Sequence, residues 1–255
     1  MITGLLHPRY ETRKFLSAPP EPMATYIVPS GIDLRRQFLE SSNQGSTPKC
    51  VAYSMSGWME WWNWKYEGIT KQIDPDPIYK RAKELDGEPG QPGTTTSAGI
   101  QAAQDLGLMT KLAADGIKAV NVDMVQRAIH RYGPLLASFQ ITDKWSYARP
   151  DGWIPEGGSF VGYHQVVIVG YDATAPVPFL MIQNSWGTEH GWRGFNRMSE
   201  GLARDQLLAA VALKPKAEPE TTKGQGTTDE GRTDAAERSS NVADASADCG
   251  HKTQG

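Results

Sequence analysis

Cysteine is scarce in this sequence, with only Cys50 and Cys249 among 255 residues. Cys249 stands in a C-terminal segment of very different composition, so the disulfide framework typical of small secreted proteins is excluded. Such a chain suits a reducing compartment, and we expect a cytoplasmic location. The lone cysteine of the folded part is then either a packing residue or a reactive thiol.

Long apolar runs and an excess of positive charge are missing as well. No stretch approaches the roughly 20 apolar residues that cross a bilayer, and residues 1–15 carry charges where a secretory signal needs an apolar stretch. Lysine and arginine number 26 against 29 acidic residues, a net charge of −3, so phosphate neutralisation has no evident source. We therefore expect neither a membrane nor nucleic acid as a partner.

Composition divides the chain into three segments. Residues 1–30 are rich in proline and predict an extended N-terminal leader. Residues 214–255 are polar and too poor in aliphatic side chains to offset the entropy of ordering, which predicts a disordered tail. The compact domain is expected over residues 31–213. Cys249 and His251 fall short of the roughly four ligands of a structural zinc site, and no metal or other cofactor is indicated.

The first half of the domain has helical patterns. Thr47-Pro48 offers a capping hydroxyl and a proline at the first helical position, and the predicted helix ends at Gly68. Four aromatic residues recur along this helix at helical spacing, which is more typical of core packing than of a binding stripe. They are Trp58, Trp61, Trp62 and Tyr66.

The second half of the domain has strand patterns. The first half also has predicted helices at 75–85, 96–107 and 121–132. After Gly133, where the second half begins, short apolar or alternating runs are separated by turn residues. Helices that precede strands in this way indicate an α+β protein with two subdomains. A cleft between the subdomains is the expected place for a site.

A thiol hydrolase needs a nucleophile, a base, a group that orients the base, and donors for the oxyanion. Four residues of this sequence are candidates for these roles. Cys50 is expected in the first helical turn, where the helix dipole lowers a thiol pKa. His164 opens a predicted strand, and Asn184 ends the next, so a hairpin can bring them together. Gln44, in the loop before Cys50, can join its N–H as an oxyanion donor. Taken alone, Cys50 and His164 are more typical of packed structural residues.

Three sequence blocks are similar to those of the papain family of cysteine peptidases. Residues 44–54, Gln-Gly-Ser-Thr-Pro-Lys-Cys-Val-Ala-Tyr-Ser, resemble the family's Gln-Gly-x-Cys-Gly-Ser-Cys-Trp-Ala-Phe-Ser. Residues 162–171 resemble its histidine strand, and residues 184–195, which begin Asn-Ser-Trp-Gly, resemble its third block. The likeness extends over about residues 33–213 in the expected order.

This resemblance implies a papain-like fold, with a helical N-terminal half, an antiparallel sheet or barrel as the C-terminal half, and the active-site cleft between them. It implies acyl transfer at a peptide carbonyl, with Cys50 as nucleophile and His164 as general base and later acid. By the same resemblance Asn184 orients the imidazole, Gln44 is an oxyanion-hole donor, and Trp186 shields the Asn184–His164 hydrogen bond from water. The expected partner is a peptide or protein substrate, and we expect a monomer.

The departures from the family pattern carry expectations of their own. Thr47 replaces a cysteine that normally forms a disulfide, which favours a disulfide-free member of bacterial, archaeal or phage type. Val51 replaces the tryptophan after the nucleophile, and the charge of Lys49 is expected to lower the thiol pKa further. His190 falls where the family often has tryptophan, and we interpret it as a loop residue.

The resemblance also suggests which residues bind substrate. The walls of the specificity pocket would be the loop from Gly90 to Gly93, together with Tyr163 and Gln165 on either side of the histidine. Gln165 replaces a small residue, so we expect a narrowed or more polar pocket that disfavours large aromatic side chains.

Two questions stay open at the level of sequence. Residues 1–30 either occupy the cleft as a short pro-piece or pack on the outside, and their proline-rich pattern favours packing. The alternatives to a peptidase are a cysteine amidase or peptidoglycan peptidase of the wider Cys/His superfamily, and a non-catalytic binding protein on the same fold. The complete set of Gln44, Cys50, His164 and Asn184 argues against the non-catalytic protein.

Overall fold

The helices and strands follow the order that the sequence predicts. The computed structural model describes residues 4–7, 16–17, 27–109 and 117–213. The helices are α1 (Cys50–Trp62), α2 (Pro75–Leu85), α3 (Thr96–Asp105), α4 (Val122–Tyr132) and α5 (Glu200–Gln206). The strands are β1 (Leu16–Ser17), β2 (Gly31–Asp33), β3 (Ile117–Ala119), β4 (Leu135–Thr142), β5 (Phe160–Asp172), β6 (Phe179–Gln183), β7 (Phe195–Ser199) and β8 (Leu207–Ala212). The α+β class is confirmed, while the predicted tail and most of the leader lie outside the described residues.

The first helix begins later than the sequence suggests. Thr47 does not cap it, because its hydroxyl donates to the Gln44 carbonyl at 2.6 Å and closes a turn instead. Lys49 takes the N-cap position without a side-chain hydrogen bond, so Cys50 is the first helical residue. A π-helical turn continues α1 and ends as predicted at Gly68, which has a φ of 67°.

Side-chain caps set the starts of the next three helices. Asp74, Thr95 and Asn121 each accept a hydrogen bond from a backbone N–H in the first turn of α2, α3 and α4. A cap of this kind contributes about 1 kcal/mol, so local chemistry fixes these boundaries within one or two residues of the prediction. None of the described helices is long and apolar enough to span a membrane.

The tryptophans of α1 form the core on the helical side of the sheet. Trp58 and Trp61 have no exposed surface and Trp62 is buried, which confirms that these rings are structural. Trp58 stacks on Trp62 with ring centres 5.6 Å apart and donates its N–H to the Pro134 carbonyl at 2.8 Å. Tyr66 contacts Trp62 from the rim and is half-exposed. These contacts hold α1 against the sheet half of the domain.

The sheet has the strand order β1-β3-β8-β4-β5-β6-β7, with β2 paired to β5. Its pairs are antiparallel except β1 with β3. Successive residues of β5 point to opposite faces. Val166 and Ile168 pack in the cluster that contains α4, whereas Val167 and Val169 pack in the cluster that contains α1. This alternation separates the side chain of His164 from that of the next residue, which faces α1.

Gly133, at the end of α4, lies against Trp61 of α1, so a substitution there measures how closely the helical half and the sheet half of the domain pack. Its φ is 86°, and a Cβ there would lie 2.5 Å from the Trp61 ring. We expect Gly133→Ala to lower the free energy of unfolding by about 3 kcal/mol, since the strain of a backbone conformation that is almost confined to glycine adds to overpacking. Gly68→Ala is the control, because a Cβ there meets nothing within 4 Å and only the strain of about 1 kcal/mol applies. Equal losses in urea unfolding would contradict the role of the Trp61 contact.

Candidate active site

Cys50 is a free thiol at the N-terminus of α1 with no exposed surface. The backbone N–H of Gln165 donates to its sulfur at 3.5 Å. Burial raises the pKa of the thiol to about 11, against the opposing effect of backbone N–H groups from Gln165, Gly4, Val51 and Cys50 itself. The predicted helix position is confirmed, but the predicted lowering of the pKa is wrong for this closed site, because burial outweighs the helix dipole.

Lys49 does not supply the charge that its position before the nucleophile suggests. Its ammonium lies 2.8 Å from the carboxylate of Asp76 on α2, and this hydrogen bond raises the pKa of Lys49. The expectation that Lys49 lowers the pKa of the Cys50 thiol is therefore wrong, since Asp76 neutralises the lysine.

His164 and Asn184 meet across the hairpin of β5 and β6. β5 begins four residues before His164, at Phe160, so the histidine lies within the strand rather than at its start. Val167 of β5 pairs with Gln183, the last residue of β6, and Asn184 follows directly in the chain. The Nε2 atom of His164 lies 2.9 Å from Oδ1 of Asn184. The predicted pairing is confirmed.

The contacts of Asn184 fix the tautomer of His164. Oδ1 of Asn184 accepts the backbone N–H of Ser185 at 2.8 Å, and Nδ2 donates to Oδ1 of Asn196 at 3.2 Å, so the amide orientation is set. His164 must then donate its Nε2–H to Asn184, which leaves the lone pair on Nδ1. Nδ1 is buried and has no hydrogen-bond partner among the described residues. Burial lowers the pKa of His164 to about 4, so the ring is neutral near pH 7.

Trp186 covers the pair of His164 and Asn184 from one side. Its ring stacks on the imidazole of His164 with centres 4.8 Å apart and an interplanar angle of 25°. His190, which lies in a turn as expected, packs edge-on against Trp186 at 4.7 Å. This aromatic cover keeps water from competing for the hydrogen bond between the imidazole and the amide.

Gln44 joins the loop before Cys50 to the loop after β6. Its Nε2 donates to the Thr47 carbonyl at 2.8 Å, and its Oε1 accepts the Ser185 hydroxyl at 2.5 Å. The side chain is only 2% exposed. One N–H of the amide is left for another acceptor beside the first turn of α1, which is compatible with the oxyanion role implied by the resemblance.

Residues 4–7, which we call the N-terminal segment, cover Cys50. Leu5 packs against Cys50 and Val51, with Tyr163 beside them. The Leu6 N–H donates to the Thr94 carbonyl, and the Thr94 N–H donates to the Gly4 carbonyl, both at 2.9 Å.

The fit of this segment is close at its first residue. A Cβ on Gly4 would overlap the Pro48 carbonyl group, just before Cys50. The expectation that the leader packs on the outside of the domain does not hold for this segment, because Gly4 and Leu5 lie against Cys50.

The four predicted substrate-binding residues divide into two groups. Gly93 and Tyr163 lie against the N-terminal segment, as the wall of a binding cleft would. Gly90 is exposed, and a Cβ there would meet nothing within 4 Å. Gln165 has no exposed surface and both ends of its amide are hydrogen-bonded, so its side chain is not free to bind a substrate.

Several partners of the site were not identified from the sequence. Ser185 and Asn196 hold the amide of Asn184, and Thr94 binds the N-terminal segment through its backbone. Ser185 stands directly beside Asn184, and this adjacency is a signal that could have singled it out. Asn196 and Thr94 depend on strand and loop positions that carry no local pattern.

Residues 50–213 match the sequence model of the papain family of cysteine proteases. Cathepsin B-like cysteine proteinase 3 of Caenorhabditis elegans is 31% identical over 91 residues, which are 36% of this chain and 25% of that protein. Cathepsin B-like cysteine proteinase 3 of Ostertagia ostertagi is 32% identical over 82 residues, 32% of this chain and 47% of that protein. The aligned region thus spans between a quarter and about half of these relatives.

Solved structures extend the likeness over most of the chain. Procathepsin B S9 from Trypanosoma congolense aligns with a TM-score of 0.65 and 15% identity, covering 85% of this chain and 87% of that one. Xylellain, a cysteine protease from Xylella fastidiosa, aligns with a TM-score of 0.64 and 17% identity, covering 84% and 95%. At these low identities the structural alignments show the fold alone. The sequence relatives named above are nematode proteins and do not support the expected bacterial, archaeal or phage type. Because the family match covers more than half of the chain, from Cys50 through β8, the chain belongs to the papain family of cysteine proteases.

Proposed function

We propose that the chain is a cysteine peptidase that hydrolyses peptide bonds through a thioester on Cys50. The observation that carries the proposal is the hydrogen bond from His164 Nε2 to Asn184 Oδ1. It leaves the lone pair on Nδ1 of the His164 ring free to act as a base. His164 directly precedes Gln165, whose backbone N–H donates to the Cys50 sulfur. A buried thiol, a buried imidazole with a free lone pair and an amide that orients this ring supply the nucleophile, the base and the orienting group that acyl transfer needs.

Each catalytic step has an assigned group in this proposal. Nδ1 of His164 takes the thiol proton as the Cys50 sulfur attacks the peptide carbonyl. The Cys50 N–H and the free N–H of Gln44 donate to the oxyanion. The imidazolium then gives its proton to the leaving amine, which breaks the peptide bond and leaves a thioester. The same nitrogen then deprotonates a water molecule that attacks the thioester; the carbon–sulfur bond breaks, the acid is released, and the imidazolium returns the proton to the Cys50 sulfur.

The closed site holds both reacting groups in their neutral forms. Burial raises the pKa of Cys50 to about 11 and lowers the pKa of His164 to about 4. Transfer of the thiol proton to the ring is therefore unfavourable while the N-terminal segment covers Cys50. We infer that the segment keeps the site inactive and has to leave, or be removed, before a substrate binds.

The position of the N-terminal segment also suggests how a substrate binds. An extended peptide in this place uses the N–H and the carbonyl of Thr94 as backbone partners and directs a side chain towards Cys50, Val51 and Tyr163. We propose that the peptide carries a medium-sized apolar side chain there. Both ends of the Gln165 amide are hydrogen-bonded, so Gln165 adds no free polar group here, and the expectation that large aromatic side chains are disfavoured stays a prediction.

The setting of the protein is part of the proposal. Cys50 is free in the described part of the chain, and Thr47 stands where the resemblance expects a disulfide-forming cysteine. A monomeric enzyme in a reducing compartment such as a cytoplasm fits these features. A bacterial, archaeal or phage origin stays a prediction.

Substitution at the catalytic residues tests the proposed chemistry. In a chain whose site has been opened, Cys50→Ala should abolish cleavage of short fluorogenic peptides, since it removes the nucleophile. Asn184→Ala should lower kcat/KM by about 100-fold, because the imidazole loses its orientation. Asn121→Ser keeps a capping oxygen at α4 and should leave the rate unchanged. Cleavage that survives Cys50→Ala would refute the peptidase mechanism, and cleavage of amides other than peptides would point to the amidase.

Substitution in the N-terminal segment tests whether it closes the site. We expect Leu5→Glu to displace the segment, because a carboxylate against Cys50 is buried without a partner. Alkylation of Cys50 by iodoacetamide should accelerate by at least about tenfold. Its pH midpoint should fall below 11, because relief from burial lowers the thiol pKa. Val177→Glu, at a residue that is 51% exposed, is the control. Unchanged alkylation in a folded Leu5→Glu chain would show that the segment does not restrict access.

A further inference from the structure

Gln165 is an unusual residue to find beside a nucleophile, because it is a polar side chain with no exposed surface. Its Oε1 lies 2.5 Å from the hydroxyl of Thr96, the first residue of α3, and its Nε2 lies 2.9 Å from the hydroxyl of Ser54 on α1. The shorter distance is typical of O–H···O bonds and the longer of N–H···O bonds, which sets the orientation of the amide.

The hydrogen bonds of Gln165 form a chain with one direction. Thr96 has to donate to Oε1, so its oxygen is free to accept from the hydroxyl of Ser138, 3.3 Å away on β4. At the other end, Ser54 accepts from Gln165 and donates to the carbonyl of Cys50 at 2.9 Å or that of Val51 at 3.0 Å. The chain therefore runs from β4 through α3 and β5 to the backbone of the first turn of α1, which carries Cys50.

The backbone of Gln165, unlike its side chain, directly contacts the sulfur of Cys50. Its N–H donates to the Cys50 sulfur, and the peptide bond that carries this N–H joins it to His164. Because neighbouring residues of β5 face opposite sides, His164 is held by Asn184 on one side of the strand while the Gln165 amide is held by helices on the other. A shift of β5 against α1 would change the distance between the thiol and the imidazole.

We propose that Gln165 is a positioning residue, whose buried amide ties β5 to α1 and α3 and thereby holds its own N–H on the Cys50 sulfur and fixes the position of His164 relative to the thiol. This inference replaces direct substrate binding as the role of Gln165, and it rests on the proposed function for its importance to catalysis. A free amide in a binding pocket would leave at least one polar group unpaired, whereas here both ends of the amide are satisfied across three elements.

The test measures the pH profile of Cys50 alkylation by iodoacetamide in the full chain, both unchanged and with Leu5→Glu. Thr96→Val removes the hydroxyl at constant shape, while Thr96→Ser keeps it and is the matched control. Gln165→Met removes both side-chain hydrogen bonds at similar length. A thermal melt of each variant separates loss of positioning from loss of folding, and kcat/KM for a fluorogenic peptide is recorded in parallel.

We expect Gln165→Met and Thr96→Val each to raise the pH midpoint of alkylation by about half to one unit, since a hydrogen bond to the thiolate weakens. Thr96→Ser should keep the original profile. The double variant should shift no further than Gln165→Met alone, because both substitutions break the same chain. If Gln165→Met does not fold, the comparison of Thr96→Val with Thr96→Ser decides the question.

An unchanged midpoint in folded Gln165→Met or Thr96→Val chains would overturn the inference, whether or not peptides are cleaved. Additive shifts in the double variant would also contradict it, because the two residues would then act independently. A shifted midpoint in a protein that cleaves no peptide would support the positioning role and count against the peptidase proposal. The two proposals can therefore fail separately.

Discussion

The hydrogen bond between the Nε2–H of His164 and Oδ1 of Asn184 is the contact on which the rest of the site depends. The hairpin of β5 and β6 brings the two residues together, because Asn184 directly follows Gln183, which pairs with Val167. Ser185 and Asn196 fix the amide, and Trp186 covers the ring. Together these contacts select one tautomer, with a lone pair on Nδ1, before any substrate arrives.

Burial from solvent is the second constraint on the site. It acts against the first, the orientation of His164 by Asn184, because burial disfavours the charged forms of both Cys50 and His164. The geometry leaves the lone pair of His164 Nδ1 free, but burial keeps Cys50 as a thiol and His164 as a neutral ring. The N-terminal segment contributes to this burial through Leu5, which packs on the nucleophile, and through Gly4, which fits against the Pro48 carbonyl without a side chain. Accuracy of the catalytic geometry and availability of the nucleophile are thus controlled by different parts of the chain.

The sequence predicts most of the fold and the principal site residues, because periodicity, caps and short motifs are local signals. The helix starts at Asp74, Thr95 and Asn121 and the hairpin that joins His164 to Asn184 depend on residues close to one another in sequence. The helix start at Thr47, the expected low thiol pKa and the charge effect of Lys49 were wrong. Each depends on a tertiary contact, namely the turn to Gln44, the burial of Cys50 and the ion pair with Asp76, that local patterns do not contain.

Covalent labelling with the epoxide inhibitor E-64 tests the central claim most directly, since the epoxide reports a reactive Cys50 thiolate supported by His164. The account predicts one inhibitor per chain in the Leu5→Glu protein, located by mass spectrometry on the peptide that contains Cys50, and loss of this label in Cys50→Ala and His164→Ala. A label that forms as fast without His164, or that resides on Cys249, would contradict the account.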